Sequence, residues 1–148
     1  MDQPCLIDTL RLPRAEFGAE PKREVRVIAS PQTTGETRMT FVSCMLPPGA
    51  ISEKHVHADC DEYIQFQSAG EVELDGVVHQ VPAQGVVHAK AGHSHECRNV
   101  SDSETLYLSC VFLPPLIPYG LCPDLMQRTK EQLDSAESLA EKEEAKWQ

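Results

Sequence analysis

The chain has 148 residues, 41% hydrophobic and 24% charged, the size and mixture of one globular domain able to bury its own core. Its net charge of −10 argues against the basic patch that nucleic acid or an anionic membrane surface requires. It opens with no basic segment followed by an apolar run, and no run is long enough to span a bilayer, so the expectation is a cytoplasmic protein with no nucleic-acid or membrane partner.

Residues 1–22 are Pro-rich and mixed and read as an N-terminal arm with one edge strand at most, either frayed or lying across a neighbouring subunit. From Arg23 the pattern alternates, with Val25 and Val27 on one side and Glu24, Arg26 and Ile28 on the other, as in a half-buried strand. Residues 31–35 carry turn chemistry. Residues 37–46 alternate again: Met39, Phe41 and Met45 lie on one side, Val42, Cys44 and Leu46 on the other. Both sets are apolar, which predicts a central strand covered on both faces, stopped by Pro47-Pro48-Gly49.

Residues 63–67 form the next strand, with Ile64 and Phe66 sharing the side of Glu62 and Tyr63 on the opposite one. Residues 71–74 and 77–81 flank Asp75-Gly76, a two-residue hairpin loop whose positive φ angles Asp and Gly tolerate. Three more strands follow at 86–89, 93–99 and 104–113. Short strands at this spacing predict an all-β sandwich or barrel over residues 23–113.

A Pro-rich linker, residues 114–123, leads to a C-terminal helix over 124–148. Asp124 and Gln127 resemble a capping box. Met126, Leu133, Ala140 and Trp147 recur at seven-residue intervals, supported by Leu125, Ala136 and Leu139. Such a narrow apolar stripe suits docking on the barrel or on a partner subunit. The six cysteines are irregularly spaced with no C-x-x-C pair, and read as plain thiols packed as small hydrophobes.

The chemistry concentrates between Gly49 and Asn99. His55 and His57 are two residues apart and point to one side of an extended segment. Glu62 follows after a short turn, and His95 can join from a separate strand. Three imidazoles and one carboxylate suit a first-row divalent metal, and four protein ligands on an octahedral ion leave two positions open for substrate, water or dioxygen.

These residues resemble the two motifs of the cupin family. The first, G-x5-H-x-H-x3–4-E-x6-G, is matched by Gly49, His55, His57 and Glu62; the second, G-x5-P-x-G-x2-H-x3-N, by Gly92, His95 and Asn99. The resemblance covers about residues 37–113. It implies a small jelly-roll barrel in which His55, His57, Glu62 and His95 hold one divalent transition metal: iron, manganese, nickel, copper or zinc. Three departures touch loops and no ligand: Ala69 stands at the last glycine of the first motif, Lys90 replaces the proline of the second, and Gly85 lies one place closer than the pattern asks.

A metal-dependent enzyme acting on a small organic substrate, as a dioxygenase or as a lyase or isomerase, is what the resemblance implies. A metal-bearing module that binds a small ligand without turnover is the alternative. Met39, Phe41, Ile64 and Phe66 are expected to wall the pocket, and His93 and Cys97 share the parity of His95 and could face it. Tyr63, beside Glu62, is a weak candidate for a catalytic acid or base, with its parity against it. Uncovered sheet edges and the two terminal segments suggest a homodimer.

Overall fold

The computed structural model describes residues 5–116 and 123–146, with the helix side chains followed as far as residue 135. A 3-10 turn, Thr9–Arg11, precedes the strands β1 (Ala15–Phe17), β2 (Arg23–Ala29), β3 (Thr40–Leu46), β4 (His55–Val56) and β5 (Asp61–Phe66). Then come β6 (Gly70–Leu74), β7 (Val77–Val81), β8 (Val86–Ala89), β9 (Ser94–Arg98), β10 (Leu106–Leu113) and the helix α1 (Pro123–Lys146). The strands form two antiparallel sheets, one ordered β1-β2-β3-β10-β5-β8 and the other β4-β9-β6-β7. This is a jelly-roll barrel, closed around a core that includes Val27, Leu46, Ile64, Phe66, Val72 and Leu106.

The predicted hairpin forms as read. Leu74 pairs with Val77, and Asp75 and Gly76 both take positive φ, at 47° and 84°. Two left-handed residues give the turn a twist that matches its strands. At Gly70, the glycine one place late in the first motif, the constraint is space: a Cβ would lie 2.9 Å from Phe66 Cε2 and 3.0 Å from the Arg98 carbonyl oxygen. The shifted glycine therefore lets β6 pass close beneath the core.

Two expectations for β3 change. The strand begins at Thr40, because Glu36 and Arg38 pair with each other just before it (Nε–Oε1 2.8 Å). Its buried face is Thr40, Val42, Cys44 and Leu46, so Phe41 faces the other way and Met39 precedes the strand, both half-buried. With two apolar alternating sets the sequence could not say which turned inward; pairing with β2 and β10 decides it.

The helix docks on its own barrel. Leu125, Met126, Thr129 and Leu133 are buried, and Met126 Sδ accepts from Ser30 Oγ at 3.7 Å. Gln132 Nε2 donates to the Arg11 carbonyl and Arg128 Nη2 to that of Arg14, so the helix also holds the arm, whose β1 pairs with β2 of the same chain. The capping box is not made: Pro123 takes the first helical position, Asp124 pairs with Arg128 at 2.8 Å, and Gln127 donates to Glu131. Proline's fixed φ suits that first position and moves Asp124 inside the first turn. The side chains of Ala136, Leu139 and Ala140, all of Trp147, and most of the 114–123 linker lie outside what is described. Among the described residues no helix is long and apolar enough to cross a membrane.

Candidate metal centre

The chain enters the site through a reciprocal pair. Ser52 N donates to the Cys97 carbonyl and Cys97 N donates to Ser52 Oγ, each at 2.8 Å. Glu53 then turns with φ 62°, a left-handed conformation that costs a non-glycine residue about 1–2 kcal/mol. The turn aims its carbonyl at His55, whose Nδ1 donates to it at 2.7 Å. A carbonyl can only accept, so the proton sits on Nδ1 and the Nε2 lone pair is free for a metal.

His55 pairs with His95 across β4 and β9, and their ring centroids are 4.3 Å apart. The His57 carbonyl accepts from Gly92 N at 2.9 Å, and its ring meets Phe112 edge-on at 5.0 Å. Glu62 comes from β5 in the other sheet, 4% exposed, against 2% for His95. One ligand atom from each of His55, His57, Glu62 and His95 falls within 4.8 Å of the others. Ligands on opposite sides of a first-row ion, each at about 2.1 Å, stand about 4.2 Å apart, so the cluster has the size of one coordination shell with a few tenths of an ångström to close.

Electrostatics support the same reading. Burial pushes the Glu62 carboxyl up, but the His57 and His95 imidazoles outweigh it and hold its pKa at about 2, so it is an anion. Burial lowers the His55 pKa, and the neighbouring imidazoles add to this against the Glu53 carbonyl bond, favouring the neutral ring that ligates. His95 Nε2 donates to Glu62 Oε2 at 2.9 Å. His57 Nε2 lies 3.3 Å from the same oxygen but makes no aligned hydrogen bond, and it is buried without a partner. A buried orphan nitrogen beside an anion and two further imidazoles fits a cation at the centre.

The four side chains line one cavity of about 330 Å³. Ile64 and Cys97 line it, whereas Phe66 is wholly buried in the core behind it and Met39 and Phe41 are replaced by Val42 and Cys44 on the inward side of β3. His93 is exposed and bonded to Asp75, because it sits in the turn before β9, where strand parity no longer applies. Tyr63 is on the outer face, stacked on His88 with centroids 4.2 Å apart, and His88 in turn donates to Asp61 at 2.9 Å. Cys60 is buried in the core without lining the cavity.

Sequence reasoning missed Arg23, Cys110, Phe112 and Leu116, all of which line the cavity. The alternation of residues 104–113 put Cys110 and Phe112 on one side, and only the contact of β10 with β5 shows that this side faces Glu62. The three thiols among the described cavity residues are held protonated: burial raises Cys44 to about 12 and, reinforced by the charge on Glu62, also raises Cys97 and Cys110 well above the ordinary thiol range.

Asn99, the last residue of the second motif, is no ligand. Its Nδ2 donates to the carbonyls of Leu46, Pro47 and Glu104, and its Oδ1 accepts from Ser101 N, so it clamps the ends of β3, β9 and β10 together.

No protein-family model and no curated protein matches this chain. Solved structures do. A predicted oxalate decarboxylase from Thermotoga maritima aligns over 74% of this chain and 99% of its own, with a TM-score of 0.66 at 18% identity. KdgF from Halomonas sp. aligns over 72% and 91%, with a TM-score of 0.57 at 20% identity. A cupin-2 domain from Rhodospirillum rubrum aligns over 69% of each chain, with a TM-score of 0.58 at 17% identity. At such identities the likeness is one of fold. With two sheets closed as a jelly roll and these structures superposing on it, the chain has the cupin fold.

Proposed function

We propose that this protein is a metal-dependent enzyme for a small organic substrate, with His55, His57, Glu62 and His95 holding one divalent transition metal. The observation that carries the reading is the convergence of three imidazoles and a buried carboxylate at the wall of a cavity of about 330 Å³. That volume is at the small end of the ~300–1,000 Å³ range of small-molecule sites. A bound metal would supply Lewis acidity, or redox chemistry with dioxygen, at the positions the four side chains leave open.

The protein's own part is to place and enclose the substrate. Val25, Val42, Ile64, Leu108 and Phe112 give the cavity dry walls, and the protonated thiols add no charge. Among the described cavity residues there is no second carboxylate or free imidazole to move a proton, which favours chemistry at the cluster itself, as a lyase, isomerase or oxygenase. The same lack supports the second reading, a metal-bearing module that binds without turnover. A fold shared with a predicted oxalate decarboxylase agrees with the lyase branch. A homodimer belongs to the proposal: Val77 and Val78 are exposed on β7, an edge strand available for association.

A turnover screen of protein loaded in turn with iron, manganese, nickel, copper and zinc, run with and without dioxygen against keto acids, sugars, phenols and thiols, tests the activity. Conversion by one metal form, lost in His57→Ala, is the expected result. Binding without conversion under every condition would select the non-catalytic module.

A further inference from the structure

Arg23 opens β2 and lines the same cavity as the four clustered side chains. Every other arginine is paired with a carboxylate: Arg11 with Asp8, Arg14 and Arg26 with Glu24, Arg38 with Glu36, Arg98 with Glu73 and Glu96, Arg128 with Asp124. Arg23 pairs with none among the described residues, and its Nε is buried without a hydrogen-bond partner. A guanidinium stays charged and carries five N–H donors, so an unpaired one beside a cavity is a site wanting an acceptor.

Its pose is set from behind. Arg23 is the cross-strand partner of Phe17 in β1, and its Cζ lies 5.6 Å from the Phe17 ring centroid. A cation–π contact uses a face of the guanidinium and leaves the in-plane N–H groups uncommitted. Glu62 is the one carboxylate among the described residues lining this cavity; His95 already bonds it and His57 Nε2 lies 3.3 Å from it. The cavity therefore holds one uncompensated fork of donors among apolar walls.

We infer that the cavity takes a small carboxylate, its carboxyl group paired with Arg23 and the rest of the molecule reaching the His55–His57–Glu62–His95 cluster. The planar fork matches a carboxylate's two oxygens. A phosphate monoester would need more donors than one arginine in a largely apolar cavity supplies. The far end of this assignment rests on the metal-dependent reading; the pairing at Arg23 does not.

Calorimetric titration of lactate, succinate and glutarate, with neutral lactamide as control, tests it on metal-loaded wild type, Arg23→Gln and Arg23→Lys, with the metal content of each measured. At least one carboxylate should bind the wild type, about 10–100-fold more weakly to Arg23→Gln, as expected for losing hydrogen bonds to a charged group. Arg23→Lys should lose less, since it keeps the charge and the Phe17 contact without the fork, and it carries the comparison if the glutamine variant does not fold. Lactamide should be indifferent to either change, and all three proteins should hold equal metal. No carboxylate binding to the wild type, or equal binding to wild type and variants, overturns the assignment. If the wild type takes up no metal, the metal-dependent reading fails instead, and the same titrations on metal-free protein decide Arg23 by whether carboxylate binding depends on it.

Discussion

Glu62 and His95 meet across the two sheets: Oε2 of the glutamate accepts from Nε2 of the histidine at 2.9 Å, and both side chains are buried. β5 carries one and β9 the other, so the cluster exists only when the barrel is closed. Any metal held there binds the folded chain in preference to the unfolded one, and its affinity adds to stability. At a free metal concentration 100 times Kd the gain is about 2.7 kcal/mol. Thermal melts with and without added metal should show the corresponding rise in Tm for the wild type and none for Glu62→Gln, which loses the anion. An equal rise in both proteins would remove Glu62 from the site.

Acid should weaken the metal-free protein, and the sign follows from the buried groups. Burial makes His55 harder to protonate when folded. The unfolded chain then binds more protons as pH falls through about 6.5, and stability drops. Glu62 is held at about 2 against its ordinary 4.5, so its stabilisation is complete above 4.5 and is lost as pH falls from there towards 2. Both effects run the same way, each by at most about 1.4 kcal/mol per pH unit. Urea midpoints should hold between pH 8 and about 7 and fall from there to pH 4, and His55→Asn should flatten the fall between pH 7 and 5.5. A midpoint constant over that span would contradict the buried neutral imidazole.

Asn99 gives a prediction about the fold alone. Replacing it by alanine removes the amide that bonds the carbonyls of Leu46 and Glu104, while that of Pro47 keeps Ala50 N at 2.9 Å. The expected loss is about 2–4 kcal/mol in chemical denaturation, with metal stoichiometry unchanged in the folded protein. Loss of metal at unchanged stability would mean that Asn99 acts on the site and not on the frame.

The cavity thiols should be inert. Cys44, Cys97 and Cys110 are buried and held protonated, and alkylation needs the thiolate. Mass mapping after iodoacetamide treatment at pH 8 should leave these three unmodified in native protein and label them in denaturant. Rapid native labelling of Cys97 would contradict its place in the cavity wall.

What was legible in the sequence was local. Asp75-Gly76 carries its own turn chemistry, and His55, His57 and Glu62 lie close enough along the chain for spacing to constrain them. Parity correctly placed Ile64 inward and Tyr63 outward, because β5 is a regular strand. It failed at His93, which ends the turn just before β9, and on β3, where both alternating sets are apolar. Arg23 was read as the start of a strand; its meaning depends on which strands flank it and on the carboxylates it does not meet, and neither is a property of neighbouring residues. The docking face of α1 was partly visible, since Leu125, Met126 and Leu133 are buried as the stripe suggested, while buried Thr129 was hidden by its polar side chain.

The central claim is that His55, His57, Glu62 and His95 hold one metal. Elemental analysis of untagged protein, as purified and after metal addition followed by desalting, tests it most directly, with His57→Ala treated in parallel. The account predicts close to one equivalent of iron, manganese, nickel, copper or zinc in the wild type and a loss of at least tenfold in the variant. Wild-type protein that holds no metal even after addition, or a variant that holds as much as the wild type, would contradict it.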